Sequence, residues 1–173
     1  MNDRSSVLAR YNAWANHKLY DAVEALPDAD RRADRGAFFR SLLGTLNHVL
    51  VADRMWMARF TGAPVPALRL DAVLHDDFDA LRAARGEEDT RIITFVDGLD
   101  DQALSSSFTY SPVSMPGRFV AQLGPALDHL FNHQTHHRGQ CHAILTGLGR
   151  AAPSLDLMVF YGEVGHGGLI RLS

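Results

Sequence analysis

The chain contains one cysteine, Cys141, in 173 residues. A single thiol excludes an intramolecular disulfide framework and fits a reducing, cytoplasmic setting. Long hydrophobic runs are also missing. No window approaches the run of about 18 apolar residues that a membrane span requires. The opening MNDRSSVLARYNAW lacks the apolar stretch of a secretory signal. Positive charge is not in excess either: seventeen Lys and Arg face twenty Asp and Glu, for a net charge of −3. With no basic run, the chain offers no surface that tracks phosphates, and nucleic acid is excluded as the expected partner. There is no internal repeat and no low-complexity tract.

What is present is an ordinary globular composition, 46% hydrophobic and 21% charged, of a length that suits one domain with a proper core. The apolar periodicity is helical. In 5–26, Leu8, Tyr11, Ala15, Leu19, Val23 and Leu26 recur at three- and four-residue steps and stack on one face. Ser5 or Ser6 can cap this segment, and Pro27 ends it. The charged stretch 28–36 reads as a surface loop. A second helix is expected over 37–60, with a wide apolar face around Leu42, Leu46, Val49, Asp53, Trp56 and Phe60. A third is expected over 71–98, capped by Asp71 and continuous across Gly86 despite a cost of about 1 kcal/mol there. Residues 100–118 break the pattern, and SSSFTYS reads as a short strand or hairpin in a long connection. A fourth helix is expected over 119–148, with Pro125 in its first turn. The expectation is an all-α four-helix bundle forming one domain over 1–161, followed by a flexible tail, 162–173.

The fourth segment carries HLFNHQTHHRGQCH, which holds five of the nine histidines. Its inward stripe is Ala126, Leu130, His133, His137, Cys141, Ile144 and Leu148. His133 and His137 are four apart, so both imidazoles face one side about one turn apart, as in helical zinc sites. His129, His136 and His142 lie further round and read as solvated or supporting. The pair is equally compatible with buried histidines that simply hydrogen-bond. Three ligands on one helix rarely converge, because each step of four climbs about 6 Å. A ligand from a neighbouring helix closes the geometry better than His129 or Cys141 on the same one, and the candidates there are His48, His75 at the opening of the third segment and His17 on the first. His48 is the only histidine within the second segment, and it lies roughly 120° from the centre of that helix's apolar seam.

The stretches TLNHVLVADRMWMARFTG (45–62) and HLFNHQTHHRGQ (129–140) resemble the DinB family of small bacterial bundle proteins. YNAWANHKLYDAVEALP (11–27) and PSLDLMVFY (153–161) are similar to it as well, so the resemblance spans about residues 3 to 161. It implies helices in up-down-down-up order. It also implies a divalent metal, often nickel or zinc, held by His48, His133 and His137. Related bundles are thiol-dependent transferases or isomerases that use low-molecular-weight thiols. The resemblance thus points to a metal-dependent thiol S-transferase of small electrophiles. The alternatives are a metal-dependent hydrolase or a non-catalytic, stress-related metal-binding dimer. The ending GEVGHGGLIRLS, with His166, departs from the family pattern.

Three imidazoles leave a divalent ion open positions for a water or a thiol. Asp53 and Arg138 are the candidates for a catalytic role. Asp53, on an apolar seam, is a base or a ligand-orienting group, or else pairs with Arg54, Arg138 or an indole N–H. The pairing role is the expectation. Arg85 and Glu88, three apart, are expected to bridge each other. Arg138 and Gln140 are placed to touch substrate or to support a ligand. Cys141 reads as a small buried hydrophobe, and Trp56 and Met57 as core.

Overall fold

The computed structural model describes residues 3–165. Four long helices form the bundle: α1 (Asp3–Glu24), α3 (Leu42–Thr61), α4 (Phe78–Asp97) and α6 (Leu123–Gly147). Three short helices decorate it: α2 (Asp28–Arg32), α5 (Asp101–Ser105) and α7 (Leu157–Val164). An antiparallel hairpin, β1 (Ser107–Tyr110) and β2 (Phe119–Gln122), fills the connection before α6. None of the helices among the described residues is long and apolar enough to cross a membrane.

Helix directions follow from the side chains that meet. Between α1 and α4, Arg10 pairs with Asp97 and Asn16 with Asp89, so these two run antiparallel. Between α1 and α6, Arg4 meets Asp128 and Asn16 meets Arg138, so they run parallel. Between α3 and α6, His48 approaches His137 and Trp56 approaches His129, which is antiparallel. Between α3 and α4, Asp53 meets Arg85 and Phe60 meets Phe95, which is parallel. The order is therefore up-down-down-up, with α1 and α3 diagonal.

Apolar stripes supply the core. One cluster gathers Leu19, Val23, Leu42, Leu50, Leu81 and Leu145, and another gathers Met57, Ile92, Val96, Leu127 and Leu130. Fully burying a side chain of this kind contributes about 1.5–3 kcal/mol. Phe160 of α7 packs on Tyr11 and Trp14 of α1, and Glu163 accepts hydrogen bonds from Trp14 and Lys18. Helix α7 thus carries order to Val164, past the boundary expected at 161. The rest of the expected tail, 166–173 with His166, lies outside the described residues.

Several boundaries differ from the expectation, each for a local reason. The charged stretch after Pro27 forms the short helix α2. Helix α3 starts at Leu42, not 37, because the Ser41 hydroxyl caps it by accepting from Gly44 N–H. Helix α4 starts at Phe78, not 71. Asp77, not Asp71, caps it, and Asp71 instead pairs with Arg69. The 71–77 stretch is pinned to α3 by Asn47, whose side chain accepts from Leu74 and His75 N–H and donates to the His75 carbonyl. Residues 119–122 pair as β2 rather than opening α6. Helix α4 does run unbroken across Gly86.

Candidate metal centre

The site forms where α3 and α6 cross, and its candidate ligand atoms come from two side chains on α6 and one on α3. His133 and His137 sit one turn apart on the inward stripe of α6, and His48 points at them from α3. The three imidazoles offer nitrogen atoms that all lie within 4.8 Å of one another. His48 Nε2 is 3.3 Å from His133 Nε2, and His137 Nε2 is 3.1 Å from the same atom.

His48 is only 4% exposed despite its position off the apolar seam. Segments outside the helix bury it. Its Nδ1 donates to the Leu70 carbonyl at 2.7 Å, and its ring stacks on Phe39 at 3.7 Å between centroids. Phe39 reaches this position through a tight turn into α3. Gly44 is required there, because a Cβ would collide with the Phe39 carbonyl.

The hydrogen bonds fix which ring nitrogens are free. A carbonyl can only accept, so the His48 proton is on Nδ1 and Nε2 presents a bare lone pair. His137 Nδ1 donates to Gln140 Oε1 at 2.9 Å, which frees its Nε2 in the same way. His133 Nε2 faces both lone pairs and has at most one proton to share between them. Three convergent donors with one proton or none suit a cation between them. Protonation points the same way. Burial, above all, pushes His48 down to about 4 and His133 down to about 3, with the neighbouring imidazoles adding to the effect at His133. Burial likewise lowers His137, with the Gln140 hydrogen bond opposing it. All three rings are neutral near pH 7, the form that ligates metal. The donor set thus fits a divalent cation of borderline softness.

The cluster opens onto a pocket of about 300 Å³, whose walls include His48, His133, Met55, Trp56, Tyr110 and Met115. His129 also lines it, 5.0 Å from the Trp56 ring. His129 was expected to be solvated or supporting and lines this wall, while Trp56 packs against the core as expected and presents a face to the pocket as well. Met57 is core as expected. His136 and His142 take no part in the cluster.

Asp53 and Arg138 do not line the pocket. They belong to a buried polar circuit behind it that joins all four long helices. Asp53 of α3 accepts from Arg85 Nη1 at 2.6 Å and from the Gln134 side-chain amide. Gln134 Oε1 accepts from Arg138, and Arg138 also donates to Asn12 and Asn16. Asn16 Nδ2 donates to Asp89, which lies 3.0 Å from Arg85 Nη2 and closes the circuit. Burial pushes the Asp53 carboxyl up to about 7, with Arg85 opposing that rise. Burial also works against the Arg85 charge, but Asp89 and Asp53 outweigh it and hold that pKa high.

Two expected pairings are therefore corrected. Asp53 pairs with Arg85, not with Arg54, Arg138 or an indole. Arg85 does not bridge Glu88, which instead meets Arg91 at 3.0 Å and Arg54 at 3.8 Å. Gln134, which the sequence places beside His133 without a role, is fully buried and bonds Asp53 rather than a ligand ring. Cys141 is fully buried with its thiol pushed up to about 12 by burial, so it behaves as a small hydrophobe.

The sequence profile of the DinB family matches residues 1–163. The chain is 28% identical to Protein DinB of Bacillus subtilis (strain 168) over 162 residues, covering 90% of this chain and 92% of that protein. Among solved structures it is similar to YfiT from Bacillus subtilis, described as a probable metal-dependent hydrolase with an unusual four-helix bundle topology. That likeness has a TM-score of 0.72 at 15% identity, over 87% of this chain and 91% of that one. A DinB-like protein from Bacillus cereus ATCC 10987 superposes with a TM-score of 0.63 at 15% identity, over 82% of this chain and 90% of that one. At such identities the structural likenesses speak for the fold.

Proposed function

The chain belongs to the DinB family, and from that premise we propose that it is a metal-dependent enzyme whose His48, His133 and His137 hold one divalent cation, zinc or nickel. The observation that carries this reading is the convergence of three neutral imidazoles, two with their outer nitrogens already engaged, beside a pocket whose wall includes His48 and His133. A cation held by three imidazoles would act as a Lewis acid, acidifying a water or a thiol and polarising a carbonyl.

The chain's own residues supply the rest. Leu70 and Gln140 fix the rings of His48 and His137. Met55, Trp56 and Tyr110 shape the substrate pocket and keep bulk water from part of it. His129, its pKa lowered by burial and by Arg59, is a neutral imidazole on the same wall, placed to take a proton from the incoming nucleophile. Asp53 and Arg138 act by holding the helices in place rather than by touching substrate.

Hydrolysis is the first reading: water suffices as nucleophile, and the similar YfiT carries that description. Thiol transfer to a small electrophile is the second. It is favoured by a further cavity of about 740 Å³ lined by Phe39 and Leu70, the residues that hold His48, with room for a low-molecular-weight thiol. The thiol must come from outside, because Cys141 is inaccessible. The proposal includes a cytoplasmic setting, where such thiols are plentiful and Cys141 stays reduced, and action as a homodimer.

Elemental analysis of untagged protein tests the metal centre. One divalent ion per chain is expected, falling to trace levels in His48→Ala, His133→Ala and His137→Ala. Stoichiometric metal in all three variants would overturn the reading. A panel of model esters and electrophiles, run with and without an added thiol, then separates the chemistries. Turnover without thiol supports hydrolysis, turnover only with thiol supports transfer, and none from metal-loaded protein removes the enzyme reading.

A further inference from the structure

One cation beside the three-histidine cluster has no counter-ion among the described residues. Arg59, in the last turn of α3, lines the same 300 Å³ pocket as His48 and His133. It is eleven residues after His48, close to three turns, so both lie on one face of the helix. Its guanidinium carbon sits 4.6 Å from the Trp56 ring centre and 5.3 Å from that of Tyr110. Its one polar contact among the described residues is a 3.3 Å hydrogen bond from Nη2 to the Ser111 carbonyl.

The chain pairs other cations with care. Arg10 has Asp97, Arg82 has Asp21 and Glu24, and Arg85 has Asp53 and Asp89. Arg59 meets no carboxylate among the described residues, and no Asp or Glu lines the pocket. In a chain of net charge −3, an acid-free pocket containing an arginine is a local reversal of sign. Arg59 is also partly desolvated, since burial is the main cause of its lowered pKa. A half-buried guanidinium, braced on two aromatic faces with donors to spare, is a ready acceptor site for an oxyanion.

We infer that Arg59 is the anion-recognition residue of this pocket, and that the substrate is a small molecule with an apolar body and one oxyanion, a carboxylate or a phosphate monoester. The apolar body packs on Trp56, Met55 and Met115 while the oxyanion meets Arg59. The opposite end of the molecule then lies toward His133 and His48. This rests on the proposed function for the identity of the reacting end, but the anion contact itself needs no metal.

The test therefore begins with metal-free protein. Benzoate, phenyl phosphate and neutral benzamide are titrated by calorimetry into chelator-treated wild type, Arg59→Gln and Arg59→Lys. Benzoate, phenyl phosphate or both are expected to bind wild type at least about tenfold more tightly than benzamide does. Arg59→Gln is expected to abolish that preference, and Arg59→Lys to retain part of it, since lysine keeps the charge and loses the planar fork. The carboxylate and phosphate arms identify the preferred oxyanion. Unchanged thermal unfolding of Arg59→Gln shows that the loss is local. Equal binding of the acids by wild type and Arg59→Gln, or no preference over benzamide, overturns the inference. The same titrations in His133→Ala separate it from the metal reading. If Arg59-dependent binding persists where no metal binds to either protein, the metal reading falls and the anion site stands. If metal binds and Arg59 makes no difference, the reverse holds.

Discussion

Replacing Arg85 by methionine should be among the most damaging single changes in the bundle, for reasons of charge more than of packing. Asp53 and Arg85 are 1% and 2% exposed and meet at 2.6 Å. Removing one partner of a buried ion pair typically costs about 3–5 kcal/mol, because the other is left desolvated without compensation. Arg85→Met strips Asp53 of its nearest counter-charge and takes from Asp89 its ion-pair partner, leaving it the Asn16 hydrogen bond. We expect a loss within that range for metal-free protein at pH 8, where Asp53 is charged, measured by urea unfolding followed by far-ultraviolet circular dichroism. The double variant Asp53→Leu/Arg85→Met removes both charges and should recover part of the loss. Its pH dependence should change as well. The folded pKa of Asp53, about 7, lies above its value of 3.8 when unperturbed. The stability linked to that proton is therefore complete below the unfolded value and is lost as pH rises through about 7. The double variant lacks this fall with rising pH. A loss below about 1 kcal/mol in Arg85→Met, or a double variant as damaged as the sum of the singles, would refute the account of the circuit.

Two further outcomes follow from the same contacts. Gln140→Ala removes the acceptor that holds His137 Nδ1, and should weaken metal affinity about 10- to 100-fold with little change in folding, as read by competition with a chelator. Tyr20→Phe should be neutral or slightly stabilising in thermal unfolding, because the Tyr20 hydroxyl is buried with no hydrogen-bond partner among the described residues. A clear loss of stability there would mean that the hydroxyl is satisfied after all.

Patterns confined to one helix were legible in the sequence. The placement of His133 and His137 on the inward stripe of α6 follows from steps of three and four, and so does the burial of Asp53. Contacts made by other segments were not. His48 is buried by the Leu70 carbonyl and the Phe39 ring, which no periodicity within α3 encodes. The resemblance to a family pointed to His48, and the fold supplies the physical reason. The partner of Asp53 lies 32 positions away on a parallel neighbour, while local spacing favoured the wrong pairing of Arg85 with Glu88. The third helix, expected from 71 with Asp71 as its cap, starts instead at Phe78 behind Asp77. Asn47 holds the stretch between as a loop through side-chain hydrogen bonds that a hydrophobic pattern does not reveal. The hairpin was half visible: SFTY read as extended, but its partner FVAQ did not stand out from the helix that follows.

The polar circuit also bears on how the helices are aligned along their lengths. Leucine-rich faces attract one another with little regard for a slide of one turn, about 5.4 Å. The circuit does not share that tolerance. Sliding α6 by a turn against α3 would take Gln134 off Asp53, and sliding it against α1 would take Arg138 off Asn12 and Asn16. Each of these slips would strand buried charge or amide groups. His133 and His137 are the immediate chain neighbours of Gln134 and Arg138. A constraint that sets helix register deep in the bundle therefore also sets the distance between imidazoles on two different helices, before any ion arrives to draw them together.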